Sequence, residues 1–384
     1  MMEAAGPSQR STSRARLSAL STDPSNYNKS FPDFTEPREI GKFSIDAEGE
    51  FRHDAHQLKI YCSPQNPGRC QFDLTVGIDN MILREEIYTE KFKSVLRWIM
   101  EGENASLMGP AGESAHLTDR RLHRLSADFV CTRGLLSRLL VLPFERNDEL
   151  ALIVTKFRGT YFLCEVNTPK PSYPMQEEMS KWGYKFEQYV TADKETGEPD
   201  LSKPINTNEH FYSVLRSQIG PHSLVCRGEV DCEDLTREEG DRYVELKTSV
   251  LQDTPKRKIN FLRFKLIKWW AQSVLAGVSV VMCGFRDNNG MVRSLESYEV
   301  KEMPALAKNP AVTGPWTPNV CFNFLEAFFD FVKANITEDN ENCAYVFRGK
   351  SDKVGMTFEK RENEEEFKFL PDWFINWDAW DNAV

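Results

Sequence analysis

Two short segments hold residue types that can break phosphate esters. Glu229-Val230-Asp231 is followed by Glu245-Leu246-Lys247. Read as strands, their side chains alternate between faces. Glu229 and Asp231 then point one way, as do Glu245 and Lys247, while Val230 and Leu246 turn toward apolar surroundings. Two neighbouring strands of this kind place three carboxylates and one ammonium on a single face. Such carboxylates repel, and one lysine cannot neutralise them, whereas a hard divalent cation with oxygen ligands can. A Mg²⁺ or Mn²⁺ centre of this type activates a water and steadies the leaving oxygen in phosphodiester cleavage. The lysine can orient the nucleophile or offset charge developing on phosphorus. No CxxC and no spaced Cys/His set accompanies the carboxylates, so zinc is not the expected metal.

The elements around them follow from periodicity. Met179, Trp182, Phe186 and Val190 form one face of a helix over 175–190, which sets Glu187 on the other side with Gly183 one turn earlier. Gly183 leaves room for a ligand or lets another element pack closely. Residues 258–276 predict an amphipathic helix whose Lys265, Lys268 and Gln272 recur at i, i+3, i+7 against an apolar body that includes Trp269 and Trp270. That stripe is either a basic track for an anionic ligand or an ordinary solvated face. A further helix is expected over 84–100, and a hairpin turning at Arg158-Gly159 joins two strands between 149 and 166. A basic segment holds Arg120, Arg121, Arg124, Arg133 and Arg138. Residues 1–30, rich in Ser, Arg, Asn and Pro, read as a mobile tail, and order is expected from Phe31.

Charge and composition exclude several classes. With 48 basic and 58 acidic residues the net charge is −10, which disfavours a protein that coats nucleic acid by bulk electrostatics. No apolar run is long enough to span a bilayer, and the N-terminus lacks the apolar core of a secretory signal. Nine cysteines, an odd number without paired motifs, fit a reducing compartment better than a disulfide scaffold.

Five ordered blocks carry a family resemblance. These are Thr132-Arg133-Gly134, Gly183 to Tyr189, Gly228 to Cys232, Tyr243 to Ser249, and Lys268 to Ser273. Asn206-Thr207-Asn208 and Ser213 to Arg216 lie between them. Asp231, Glu245 and Lys247 follow the core pattern of PD-(D/E)xK nucleases, and the whole set resembles the decapping exoribonuclease family from about Phe31 to the aromatic C-terminus. The resemblance implies a single α/β domain over 31–384, with two β-sheets flanked by helices around a nuclease core. It implies a nuclear, also cytoplasmic, hydrolase that removes incomplete caps, NAD caps and 5′ triphosphate as pyrophosphate, and degrades RNA 5′→3′. It further implies two metal ions, held directly by Asp231, Glu245 and the Leu246 carbonyl, with Glu187 and Glu229 acting directly or through water. Lys247 and Gln272 flank the scissile phosphate, and Arg133 contacts substrate phosphate. With Gln272 placed there, the helical stripe would set Lys265 and Lys268 toward phosphates further along. Thr132 departs from the Trp common in relatives, and the acidic loop 233–241 has no assigned role. Competing readings are an idle scaffold for a nuclear 5′→3′ exoribonuclease, a DNA nuclease of the same superfamily, and an acidic interaction protein. The retained carboxylates and lysine weigh against the scaffold.

Overall fold

Strands β1 (Phe34–Ile45), β2 (Phe129–Thr132), β3 (Leu150–Phe157), β4 (Thr160–Glu165), β5 (His210–Ile219) and β6 (His222–Glu229) belong to one ten-stranded sheet. Their alternation is apolar on both sides. Phe129, Cys131, Leu152, Val154, Leu224 and Cys226 enter one core, while Val130, Ile153 and Val225 enter another. A sheet buried on both faces needs helices on both. Helix α1 (Tyr88–Glu101) covers the second core with Phe92, Val95, Leu96 and Ile99. Helix α2 (Arg133–Val141) covers the first. The computed structural model describes residues 18–84, 88–101, 108–109, 124–168, 176–350 and 355–377.

A seven-stranded sheet faces the other side of that first core. It contains β7 (Cys232–Glu233), β8 (Tyr243–Val250), β9 (Val280–Arg286) and β10 (Met291–Glu299). Helix α3 (Gln176–Val190) packs Trp182, Phe186 and Val190 on its outer face against Val244, Leu246 and Val280. Between the sheets lie α2, α4 (Leu266–Val274) and α5 (Pro318–Asn335), packed around Trp270, Trp316, Phe324 and Phe328. The architecture is therefore mixed α/β: two sheets with helices between and outside them. The large sheet continues through β11 (Cys343–Gly349) and β12 (Met356–Glu362).

The hairpin forms as expected, with consecutive left-handed residues at Arg158 (φ 49°) and Gly159 (φ 81°), the backbone that a two-residue hairpin turn needs. Three expectations change. Residues 18–30 are not a free tail: Ala19–Leu20 pairs with β12, and Tyr27 is buried edge-on against Phe324, 5.3 Å between ring centroids. Residues 1–17 lie outside the described residues. The helix expected over 258–276 begins earlier, at Pro255, and carries a π-helical turn at Phe261–Lys265 between its first stretch, Pro255–Asn260, and α4. Finally, the Glu229 and Glu245 segments are not neighbouring strands of one sheet, since β6 lies in the large sheet and β8 in the small one. No helix among the described residues is long and apolar enough to cross a membrane.

Candidate active site

The carboxylates meet where the chain crosses from one sheet to the other. β2 and β6 run parallel, with Arg227 opposite Thr132, so both finish at the same end of the sheet. Carboxyl ends of parallel strands are the usual ligand-binding end of α/β sheets. β2 passes directly into α2. Thr132 caps the helix, its hydroxyl accepting from Leu135 N at 3.4 Å, and Arg133 opens the first turn. This gives Thr132 a local structural role. β6 ends at Glu229, and Val230-Asp231 carries the chain to β7. The crossover is pinned by Val230 N–H donating to the Phe211 carbonyl at 3.1 Å. Val230 and Leu246 enter separate apolar clusters, Val230 with Leu58 and Phe211, Leu246 with Trp182 and Phe186.

β7 is only two residues long, so beyond Val244 the β8 strand is laddered only to β9 among the described strands. Asp231 occupies the open edge, its Oδ2 accepting from Leu246 N–H at 2.6 Å. The N–H and C=O of one residue face the same strand edge. The Leu246 carbonyl therefore opens toward Asp231. Glu245 and Lys247 project from the other face of β8; the lysine donates to Glu245 Oε1, and Arg133 Nη1 lies 3.7 Å from the same oxygen. Arg133 Nη2 also donates to the Glu229 carbonyl at 2.9 Å. Glu229 Oε1 lies 2.8 Å from His210 Nδ1, whose Nε2 lies 2.7 Å from the Thr207 carbonyl.

Glu187 reaches this point because α3 is seated tightly beside it. A Cβ on Gly284 would come within 2.6 Å of the Phe186 ring, so only glycine on β9 lets that ring lie flat on the strand. Gly183 is different: nothing lies within 4 Å of a Cβ built there, so close packing does not account for it. Gly284→Ala is expected to cost about 1–3 kcal/mol through overpacking. It should also shift Glu187 and slow turnover at least about tenfold. Gly183→Ala, in a helix interior with free space, should melt slightly above wild type, by about 1 kcal/mol of helix propensity. Thermal melts and turnover of both variants check this.

The four carboxyls are not equivalent. Burial, then the charges of Asp231 and Glu229, push Glu187 well above the ordinary carboxylate range. Burial, then Glu245, lifts Asp231 to about 7. Burial also works to raise Glu229, but His210, Arg84 and Arg133 outweigh it and hold that group low. For Glu245 burial is likewise outweighed, by Lys247 and Arg133. Burial tends to lower Lys247, yet Glu245 and Asp231 raise it. Two carboxyls thus stay ionised and two resist ionisation, the condition that a cation relieves.

The donor set fits a hard cation. Glu187, Glu229, Asp231 and Glu245 with the Leu246 carbonyl offer oxygen only, and the nearby Cys232 thiol turns to the Val244 carbonyl at 3.9 Å. Among the described residues the one group of donor atoms all within 4.8 Å of each other is elsewhere, at Glu338, Cys343 and Glu362. Lys360 donates to both of those carboxylates, which makes that group an ion-pair network. At the crossover Glu229, Asp231 and Glu245 are drawn toward separate partners instead, and metal would have to compete with Lys247, Arg133 and His210.

Two cavities open on the cluster. One, of about 200 Å³, is lined by Glu187, Glu229 and Asp231. The other, of about 220 Å³, is lined by Arg133, Glu229 and Gln272 together with Arg84, Tyr212 and Arg227. The structure thus brings together Arg133, Glu187, Glu229, Asp231, Glu245, Leu246 and Lys247, with Gln272 on the wall. It separates the lysines. Lys268 shares a neighbouring cavity with Gln272 but sits 2.7 Å from Glu145 and 3.7 Å from Asp148. Lys265, closing the π turn, donates to Ser249 at 3.3 Å. The three residues read from helical spacing do share the outward side of the helix, but the stripe is partly neutralised. Lys265→Ala/Lys268→Ala is now expected to change the salt slope of RNA binding by well under the ~0.7 that one lost single-strand contact gives, as binding titrations over a salt series would show. Arg138 is likewise engaged, with Glu165 and the Glu149 carbonyl. Arg120 and Arg121 lie outside the described residues, as does the side chain of Arg124.

Sequence reasoning missed His210, Arg84, Tyr212 and Arg227. A signal existed for Arg227 alone, since strand alternation sets it on the face of Glu229 two residues on. Arg84 is in a loop whose N–H donates to Thr207 Oγ1 at 2.7 Å, and its guanidinium donates to Tyr212 Oη at 3.2 Å. Nothing in its local sequence marks that approach.

Comparison with known proteins agrees with this geometry. The model for "RAI1 like PD-(D/E)XK nuclease" matches residues 35–375. The decapping and exoribonuclease protein of Rattus norvegicus is 37% identical over 371 residues, covering 94% of this chain and 89% of that protein. The decapping nuclease RAI1 of Aspergillus fumigatus is 32% identical over 326 residues, covering 79% and 83%. Candida albicans Rai1, solved in complex with pU5-Mn²⁺, superposes with a TM-score of 0.76 at 22% identity, covering 94% of this chain and 98% of that one. A match across nearly the whole described chain, with the carboxylates, Lys247 and Arg133 gathered at the sheet crossover, means that this chain belongs to the RAI1-like PD-(D/E)XK nuclease family.

Proposed function

We propose that this chain is a divalent-metal-dependent hydrolase of RNA 5′ ends. It removes incomplete guanosine caps and NAD caps, releases pyrophosphate from 5′ triphosphates, and degrades RNA 5′→3′. The observation that carries this reading is the convergence of Glu187, Glu229, Asp231 and Glu245 on one sheet crossover with Lys247 and Arg133 beside them. Membership of the family, whose relatives are named decapping and exoribonuclease proteins, supports the RNA substrate.

Mg²⁺ or Mn²⁺, two ions in this proposal, would be held by the four carboxylates and the Leu246 carbonyl, and would supply an activated water and charge neutralisation at phosphate. The chain's own groups do the rest. Lys247, kept charged by Glu245 and Asp231, presents an ammonium that can offset charge gathering on the reacting phosphate. Arg133, fixed by the Glu229 carbonyl and Glu245, offers a guanidinium suited to phosphate oxygens. Gln272 contributes an amide to the lining of the cavity that holds Arg133 and Glu229. The family resemblance supports a nuclear setting, with the cytoplasm second, and a nuclear 5′→3′ exoribonuclease as protein partner.

The test is one preparation with Mn²⁺, assayed on triphosphate, guanosine-capped, NAD-capped and 5′-monophosphate RNA, and on DNA of equal sequence. Release from RNA 5′ ends with little action on DNA is expected. Equal cleavage of DNA would make it a general nuclease, and inertness toward all five despite Mn²⁺ binding would leave the scaffold reading.

A further inference from the structure

The two cavities that meet at the carboxylates carry opposite charge. The first extends past Asp193, Glu198, Asp200 and Glu209. Its two lysines are spoken for: Lys59 pairs with Asp193, and Lys203 lies 3.9 Å from Asp193 and 3.6 Å from Asp200. The second is lined by three guanidiniums, Arg84, Arg133 and Arg227. Its acidic residues are Glu229, shared with the first cavity, and Glu165, which is paired with Arg138. Arg133 and Arg227 are each only 7% exposed. Guanidiniums are costly to bury, and here their burial shapes one wall of an open cavity. Arg227 stacks over the Tyr212 ring at 4.2 Å, and Arg84 donates to the Tyr212 hydroxyl. The tyrosine thereby holds two guanidiniums beside the cavity at once.

RNA on the 3′ side of a scissile bond adds one negative charge with every nucleotide. The departing 5′ group is small and bounded. A polyanion entering the acidic cavity would meet repulsion at each step, whereas the arginine cavity draws it in. We propose that Arg84 and Arg227, set by Tyr212, bind the phosphates immediately 3′ of the scissile bond. The RNA body then lies in the arginine cavity and not in the acidic one. This rests on the RNA 5′-end hydrolase reading and gives it a direction: the 3′ side of the cleft is set by charge. Arg84 and Arg227 are positioning residues in this scheme, and Arg133, next to Glu245, is the guanidinium nearest the reacting phosphate.

The experiment compares 5′-monophosphate RNA of increasing length with a dinucleotide of the same 5′ sequence, using wild type, Arg84→Gln, Arg227→Gln and Arg227→Lys with Mn²⁺. Wild-type turnover on both substrates establishes the hydrolase reading independently. Each Gln variant is expected to lose about tenfold or more in kcat/KM on long RNA, mostly through KM. The loss on the dinucleotide, which lacks the further phosphates, should be several-fold smaller. The salt slope of binding to long RNA should fall by about 0.7 per guanidinium removed, and Arg227→Lys should restore part of the affinity and the full slope. The assignment is overturned if the loss is equal on both lengths, as it would be for a misfolded Arg227 variant whose Arg84 counterpart behaves like wild type. It is also overturned if the loss follows the identity of the 5′ group at constant RNA length, because the RNA body would then lie on the other side.

Discussion

Asp231→Ala and Glu245→Ala should each lower turnover by about a thousandfold or more, and should do so on capped, triphosphate and monophosphate RNA alike. Both cavities reach the one carboxylate cluster, through Glu229 that lines each of them, so the structure offers a single place at which any of these bonds could be hydrolysed. The two variants should differ sharply in stability, which separates lost chemistry from lost fold. Glu245 is buried and is the partner of both Lys247 and Arg133. Removing it leaves two cations facing each other, a change of the kind that costs about 3 kcal/mol. Asp231 is a different case, because burial and Glu245 already hold its carboxyl up to about 7. Deleting it relieves repulsion and loses one hydrogen bond from Leu246 N–H. Metal-free Asp231→Ala should therefore melt close to wild type while Glu245→Ala melts well below it, and both should be inactive. Survival of decapping in either variant while exonuclease action vanished would require a second centre.

The site was more legible in the sequence than the scaffold that builds it. Glu245 and Lys247 could be singled out because strand alternation is a rule of covalent geometry and holds wherever β8 goes; the same rule picked out Glu229 and Asp231, although Asp231 lies in the crossover just beyond β6. The rule could not say that β6 and β8 belong to different sheets, because pairing between strands depends on contacts distant in sequence. The convergence arises instead from a two-residue crossover and from a β7 too short to cover its neighbour. The lysine stripe failed for a related reason. The i, i+3, i+7 spacing runs from the last residue of the π turn through the α-helix that follows it, so Lys265, Lys268 and Gln272 do keep to the outward side; what fails is their freedom to meet phosphate. Spacing tells which side a lysine faces and not whether Glu145 waits for it. Tyr27 escaped notice because a polar segment with one aromatic looks like a tail until the partner ring on α5 is known. His210, Arg84 and Tyr212 reach the site through long-range contacts, and only a fold can report those.

Chelation of divalent metal is expected to reduce activity by about a thousandfold or more, with Mn²⁺ or Mg²⁺ restoring it, and uptake of the metal should depend on pH with a definite sign. A carboxyl whose folded pKa is raised binds protons in the folded chain that the unfolded chain has released. For Asp231 the window runs from its ordinary value of 3.8 to about 7, and Glu187 is displaced in the same direction. Across that window the metal-free protein should lose stability as pH rises, because the folded state is progressively forced to ionise beside Glu245 and Glu229. A cation must displace the same protons. Its affinity should therefore climb with pH, about tenfold per unit for each proton released, and level off above the Asp231 value unless Glu187 is still protonated there. Metal thus stabilises the protein least in acid and most above neutrality. Calorimetric titration with Mn²⁺ on either side of neutrality, with melts at the same pH values, reads both effects. Undiminished activity in excess chelator would remove the metal from the reaction. Equal Mn²⁺ affinity at acidic and alkaline pH would mean that the ion binds away from Asp231 and Glu187. Glu229 and Glu245, held ionised by His210, Arg133 and Lys247, would bind a cation without releasing a proton, so the number of protons released on titration separates the two pairs of carboxylates.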